Sequence, residues 1–228
     1  MDRLSAGKPL PKSANKTAKT ADTEAAQDAA RQSTSTRAKL LTAARSAFGE
    51  LGYVSARVED IASRAGTSHG TFYNYFEDKA DVMVAITEDV AAELYIMENP
   101  DAPVSDPPMP VSEIVEIRIG RFLSAYASNW DVVGAWVAAG GAEPRIDAVR
   151  SRLRDMFIDS LAAIFKAEQE QQLARPGDPL EYAVAMVAMV EQFAFLWLQR
   201  GGSLDDGQAR LLAGMWSRAV YPAERLVD

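Results

Sequence analysis

Residues 67–79 read TSHGTFYNYFEDK. This stretch gathers the chain's single histidine, a glycine, two phenylalanines, two tyrosines, an asparagine and a closing lysine. A helix that only had to pack would not need so many aromatic and polar groups within two turns. At about 100° per residue, Phe72 and Phe76 fall on one face. Gly70, Thr71 and Asn74 fall on the opposite side, and Tyr73 and Tyr75 flank it. Two rings turned inward leave small and amide groups outward, which suits a duplex. The small and amide groups meet base edges, and tyrosine hydroxyls reach phosphates on either side. Gly70 lets the backbone come close. The same spacing also fits a surface helix whose tyrosines pack on a neighbour, so the spacing alone leaves both readings open.

The flanks favour the first reading. Ser68 offers an N-cap for a helix over His69–Phe76. Before it, Val58, Ile61, Ala62 and Ala65 share the face of a short helix that Gly66 closes. Two short helices separated by Gly66-Thr67-Ser68 predict a helix-turn-helix, whose second helix enters the major groove. Further upstream, Leu40, Ala44, Ala47, Phe48 and Leu51 mark an amphipathic helix, capped by Ser35 and ended by Gly52. Downstream, Asp78 caps a helix from Lys79 to about Met97.

These residues resemble the TetR (tetracycline-repressor) family. The resemblance runs through TRAKLLTAARSAFGELGY (36–53), VEDIASRAGTSHGTFYNYF (58–76) and EDKADV (77–82), and is close over about residues 36–90. It implies that His69, Gly70, Thr71 and Tyr73 meet DNA from the recognition helix, beside Asn74, which the helical spacing puts on the same face. Tyr75 and Lys79 would then hold the backbone, with Thr36 and Arg37 from the first helix and Thr67 from the turn. His69, at a helix start, is either solvated or a donor to a base edge or phosphate. The family caps its second helix with Thr or Ser, where this chain has Ala56 and Arg57. Either Ser55 takes over that cap or Arg57 supplies the phosphate contact instead.

The remainder bounds the function. Net charge is −8, but residues 80–228 hold 12 basic and 23 acidic groups, so the acid lies away from the helix-turn-helix. Residues 1–33 are polar, Ala-rich and basic at their start, and read as a disordered arm, either a solvated tail or a contact for DNA phosphates. Residues 34–80 form the expected DNA-binding domain and 81–228 a helical effector-binding and dimerisation domain. Five prolines within 99–110 predict a loop. Helices are expected over about 111–129, 131–140, 145–173, 179–200 and 204–221, and no strand alternation occurs, so the fold class is all-α.

With no cysteine and one histidine, thiol chemistry, disulfides, histidine triads and a metal site are all unexpected. No phosphate-binding loop or dinucleotide fingerprint appears, so an enzyme is not expected and no cofactor is implied. The N-terminus lacks a signal-peptide core, and the run 183–198 is interrupted by Glu191 and Gln192, so a cytoplasmic protein with no membrane partner is expected.

Aromatic and methionine stripes in the C-terminal part are mostly core, yet small-molecule pockets are lined by the same groups. Phe122, Tyr126, Trp136, Met189 and Phe193 are the candidate lining, with Glu191 and Gln192 as its polar members. The helix over 183–198 is apolar almost all round and must be covered on every side. The last helix carries two apolar rows, Leu211/Met215/Ala219 and Leu212/Trp216/Val220, one for its own core and one for a partner. The family resemblance implies a four-helix dimer seam, for which Trp197, Leu212, Trp216 and Val220 are the expected residues. The expected function is a ligand-responsive regulator, a repressor. It would bind palindromic double-stranded operator DNA as a homodimer and be released by a small, largely hydrophobic effector, neutral or with one polar end near Glu191 or Gln192. A DNA-binding regulator without an effector, or an activator, is the alternative.

Overall fold

Nine α-helices and one 3-10 turn make up the described residues of the computed structural model, 14–96, 109–139 and 143–226. Side chains are described from residue 32 onward. The expected loop falls largely outside these bounds, as do residues 1–13 of the expected arm.

The first helix, α1, runs Ala14–Leu51. It therefore starts well before Ser35, and residues 14–33, expected as disordered, continue it. Alanine and lysine, which recur through that segment, carry little cost in a helix. The C-terminal half buries Leu40, Ala43, Ala44, Ala47 and Phe48. Gly52 ends it at φ +77, a conformation that costs a residue with a Cβ more than it costs glycine. Phe48 then packs on Tyr53 with ring centroids 5.4 Å apart.

Helix α2 (Val58–Arg64) takes Arg57 as its N-cap residue. The missing hydroxyl is replaced from inside the helix, where the Asp60 carboxylate accepts the backbone N–H of Arg57 at 2.9 Å. Ser55 has no part in this cap. Gly66 at φ +66 closes α2. Ser68 caps α3 (His69–Tyr73) by accepting the Thr71 N–H at 3.0 Å. The helix is shorter than expected, with Asn74 at its C-cap. Phe72 at 0% exposure and Phe76 at 5% fix it to Leu40, Ala44 and Ile61 in the same core.

Helix α4 (Lys79–Leu94) is capped by Asp78, which accepts the Asp81 N–H at 2.9 Å. It leaves the DNA-binding domain and buries Val82, Met83, Ile86, Val90 and Leu94 against the larger body. That body comprises α5 (Val111–Ser128), α6 (Trp130–Ala139), α7 (Pro144–Glu170), α8 (Pro179–Gln199) and α9 (Asp206–Val220). Here α5 packs on α9, α7 on α8, and α4 on α7. By length and composition α8 is apolar enough to cross a membrane. In this fold, though, its Ala183, Val187, Val190 and Ala194 are buried against other helices.

Two arginines join the two parts. Arg45 of α1 meets both oxygens of Asp131 on α6, each at 2.9 Å, and donates to the Ser128 carbonyl at 3.0 Å. Arg145, at the start of α7, reaches Asp78 at 2.8 Å and Asp81 at 3.0 Å, so it holds the cap of α4.

Candidate nucleic-acid interface and interior site

The buried rings of α3 determine what it exposes. With Phe72 and Phe76 inward, His69, Gly70, Tyr73 and Asn74 are exposed and Thr71 is half-buried. A Cβ added at Gly70 would meet only the Ser68 hydroxyl, at 3.8 Å. The protein's own packing therefore does not demand glycine there, although glycine weakens a helix. Tyr73 is 49% exposed and stands edge-on to both Phe72 and His69. The His69 imidazole lies 3.2 Å from the Glu59 carboxylate of α2, so it is partnered within the domain. The Thr71 hydroxyl pairs with that of Ser68 at 2.8 Å.

Around α3, Arg57 and Arg37 are exposed, and the Arg37 guanidinium lies over the Phe76 ring at 5.4 Å. Tyr75 is half-buried against the core. Thr67 is half-buried, with its hydroxyl turned to the Ala62 carbonyl at 3.4 Å. Thr36 lies within α1 and bonds back to the Gln32 carbonyl at 3.0 Å.

Lys79 corrects an expectation. Its ammonium donates to the carbonyls of Tyr53 at 2.6 Å, Ala56 at 2.9 Å and Val54 at 3.1 Å. It also lies 4.6 Å from the Tyr53 ring centroid. An ammonium has three N–H donors, and all three are committed to the α1–α2 turn, so Lys79 braces that turn rather than a DNA strand. Burial pushes its pKa below the ordinary lysine range.

The interior of the larger body holds a chain of rings. Tyr95, at the C-cap of α4, packs on Phe122 of α5 and Phe157 of α7, with centroids 6.4 and 5.6 Å away. Phe122 continues to Tyr126, Tyr126 to Trp130, and Trp130 to Phe195 of α8. Of these six rings only Tyr126 is fully buried; the others are half-buried. Glu191 of α8 accepts a 2.5 Å hydrogen bond from the Tyr95 hydroxyl. Arg154 of α7 stands 3.8 Å from its second oxygen. Burial raises the Glu191 carboxyl above the ordinary range; the Tyr95 bond and the charges of Arg154 and Arg150 pull the other way. Burial likewise raises the hydroxyls of Tyr95 and Tyr126.

The expected lining is thus partly assembled here. Phe122, Tyr126 and Glu191 join the cluster, and Met189 is half-buried against the core. Trp136 is buried nearby, donating to the Thr87 hydroxyl at 2.9 Å, with the Arg150 guanidinium 5.9 Å from its ring. Gln192 and Phe193 do not belong. Gln192 is exposed, and Phe193, half-buried against the core, stacks on Trp197 at 5.7 Å rather than joining the ring chain. Adjacent helical positions point about 100° apart, so Glu191 turns inward while Gln192 does not. Sequence reasoning missed Tyr95, Trp130, Phe157, Phe195, Arg150 and Arg154. The spacing 150–154–157, one stripe of a helix, was the available signal.

The last helix corrects a second expectation. Leu212 at 1%, Trp216 at 9% and Val220 at 1% exposure lie inside the subunit, Trp216 against Phe165. The other row is outside: Leu211 is 54% and Met215 51% exposed. Leu180, Val184 and Trp197 of α8 are also exposed.

A two-helix reading head with its rings buried and its small, amide and phenolic groups bare, carried on an all-helical body, defines a DNA-binding transcriptional regulator. Residues 40–86 match the family described as "Bacterial regulatory proteins, tetR family", so the helix-turn-helix part of the chain is similar to that family. It is 25% identical over 189 residues to the HTH-type transcriptional regulator EthR of Mycolicibacterium smegmatis, covering 81% of this chain and 85% of that one. It is 27% identical over 199 residues to the HTH-type transcriptional repressor BepR of Brucella suis, covering 82% and 93%. The fold is similar to that of the TetR family regulator PfmR from Thermus thermophilus, with a TM-score of 0.63, 21% identity, and 79% and 97% of the two chains covered.

Proposed function

We propose that the protein is a ligand-responsive repressor that binds a palindromic operator as a homodimer and is released by a small, largely hydrophobic effector. One observation carries this reading. Helix α4 starts against the DNA-binding domain, with Asp78 and Lys79, and ends at Tyr95 inside the ring cluster. Its 16 residues span about 24 Å. A molecule that displaces Tyr95 moves the same rod that orients α3.

On the DNA side, Gly70, Thr71 and Asn74 read base edges, with Tyr73, Arg57 and Arg37 on phosphates. His69 joins them when it leaves Glu59. The exposed rows of α8 and α9, with Leu180, Val184, Leu211 and Met215, form the dimer seam, and a twofold protein reads a twofold site. The BepR relative is named a repressor, which supports the sign of control. The test is a selection of bound duplexes from a random pool, followed by release of the best duplex in a ligand screen. A palindromic consensus and a compound that lowers affinity are the expected results. Selection of no duplex rejects the reading.

A further inference from the structure

Among the rings of the interior stand two arginines whose donors are poorly matched. The Arg150 Nε is fully buried and has no partner. Buried donors of this kind are rare and costly. The rest of that guanidinium is poorly served, its contact to Asp147 being 3.4 Å long. Arg154, one helical turn further along α7, reaches Glu191 only at 3.8 Å and Asp155 only at 4.0 Å, beyond hydrogen-bond range. Tyr126 is buried in the same region, and burial raises its hydroxyl. On the acceptor side stands Glu191, whose first oxygen is already occupied by Tyr95. The charge of Arg150 is felt at Tyr95, Tyr126 and Glu191, so these groups share one region.

Glu191 alone leaves these guanidinium donors without a close acceptor. We propose that the site takes an amphiphilic monocarboxylate, its head held by Arg150, Arg154 and the Tyr126 hydroxyl, its apolar body lying along Phe122, Trp130, Phe157 and Phe195. This rests on the effector-binding reading above and narrows it. A carboxylate brings two oxygens that accept several donors at once, and guanidinium groups match that geometry. The half-buried rings offer apolar surface for the chain. The acidic surface of the body does not forbid this, because surface charges beyond about 8–10 Å are screened at physiological salt, whereas the two arginines are in contact with the head. Arg150, Arg154 and Phe157 lie on one stripe of α7, and the same helix begins with Arg145, which grips the cap of α4.

The test uses the full chain and its tryptophan fluorescence, with Trp130 and Trp136 beside the site. Straight-chain carboxylates, primary amines and alcohols, matched from hexyl to dodecyl, are titrated below their micelle-forming concentrations. The carboxylate is expected to bind tighter than the matched alcohol by roughly tenfold or more, the scale of a charged hydrogen bond. Tyr126→Phe, which removes one oxygen, and Arg150→Met are each expected to weaken the carboxylate and leave the alcohol unchanged. Amines or alcohols that bind as tightly as carboxylates overturn the carboxylate assignment and leave the effector reading standing. So do variants that weaken all three series equally. Failure of all three series to bind the folded protein removes the assignment and the interior effector site together.

Discussion

Lys79 and Thr71 show how differently two polar residues of one stretch are used. Lys79 follows the recognition helix by a few positions, where a cation invites a phosphate, yet its three donors close on the carbonyls of residues 53, 54 and 56. Nothing in the local sequence shows this, because the acceptors lie more than twenty positions upstream and meet Lys79 only once the domain is folded. Lys79→Met should therefore destabilise the domain by about 1–3 kcal/mol through unpaired carbonyls. A urea titration would show this, and an unchanged midpoint would return Lys79 to the DNA surface. For Thr71 and Asn74 the opposite is expected. Either one changed to Ala should leave the urea midpoint nearly unmoved and alter sequence preference, at about 1–3 kcal/mol per lost base contact. Tyr73→Phe should weaken binding to all duplexes alike, since a phosphate bond carries no sequence. Gel-shift titrations against the selected operator and its single-base variants separate the two patterns. The core rings Phe72 and Phe76 were legible from spacing alone, because burying two aromatic groups on one face leaves one orientation for a short helix.

At the scale of elements, the sequence marks where helices start and stop better than which way they face. The bounds of α5 to α9 follow the Gly and Pro punctuation within a few residues. Caps are local chemistry, as with Ser68, Asp78, Asp178 and Asp205. Facing is not local. Helix α9 has two apolar rows of similar character, and periodicity has no means of choosing between them. The fold buries Leu212, Trp216 and Val220 and leaves Leu211 and Met215 out. Two substitutions on α9 should thus part company. Trp216→Ala empties a site against Phe165 and should cost about 3–5 kcal/mol of subunit stability. Leu211→Arg places a charge on the exposed row and should leave the helical content intact while sedimentation shifts from dimer to monomer. A variant that remains dimeric at micromolar concentration places the seam elsewhere on the body. The start of α1 at Ala14 has a related origin. Composition read residues 14–33 as lacking anything to bury, but a helix that continues an existing one needs no fresh nucleus.

For the molecule as a whole, the proposed ligand response needs two parts to answer each other, and the ties between them are polar. Arg45 with Asp131 and Arg145 with Asp78 and Asp81 join the reading head to the body at the surface, while Tyr95 and Glu191 join α4 to α8 inside it. Such long-range pairs were invisible in the sequence, where Tyr95 and Glu191 stand 96 positions apart. The interior tie has a pH signature with a definite sign. Burial raises the Glu191 carboxyl above its ordinary 4.5, against the opposing pull of the Tyr95 bond and the Arg154 and Arg150 charges. A carboxyl with a raised folded pKa binds its proton more tightly folded than unfolded. Its contribution to stability is therefore complete below 4.5 and is lost as pH rises through the folded value. Glu50, Asp78 and Glu143 are lowered by their arginine partners and slope the other way, so the bare stability curve mixes both. Glu191→Gln isolates the one group, because Gln keeps an oxygen for Tyr95 and loses the titration. The stability of wild type minus that of the variant, from paired urea titrations, should be level below pH 4.5, fall as pH rises through the folded value, and level off beyond it. A difference that stays flat would mean that Glu191 is solvated and that the interior tie between α4 and α8 is not closed in solution.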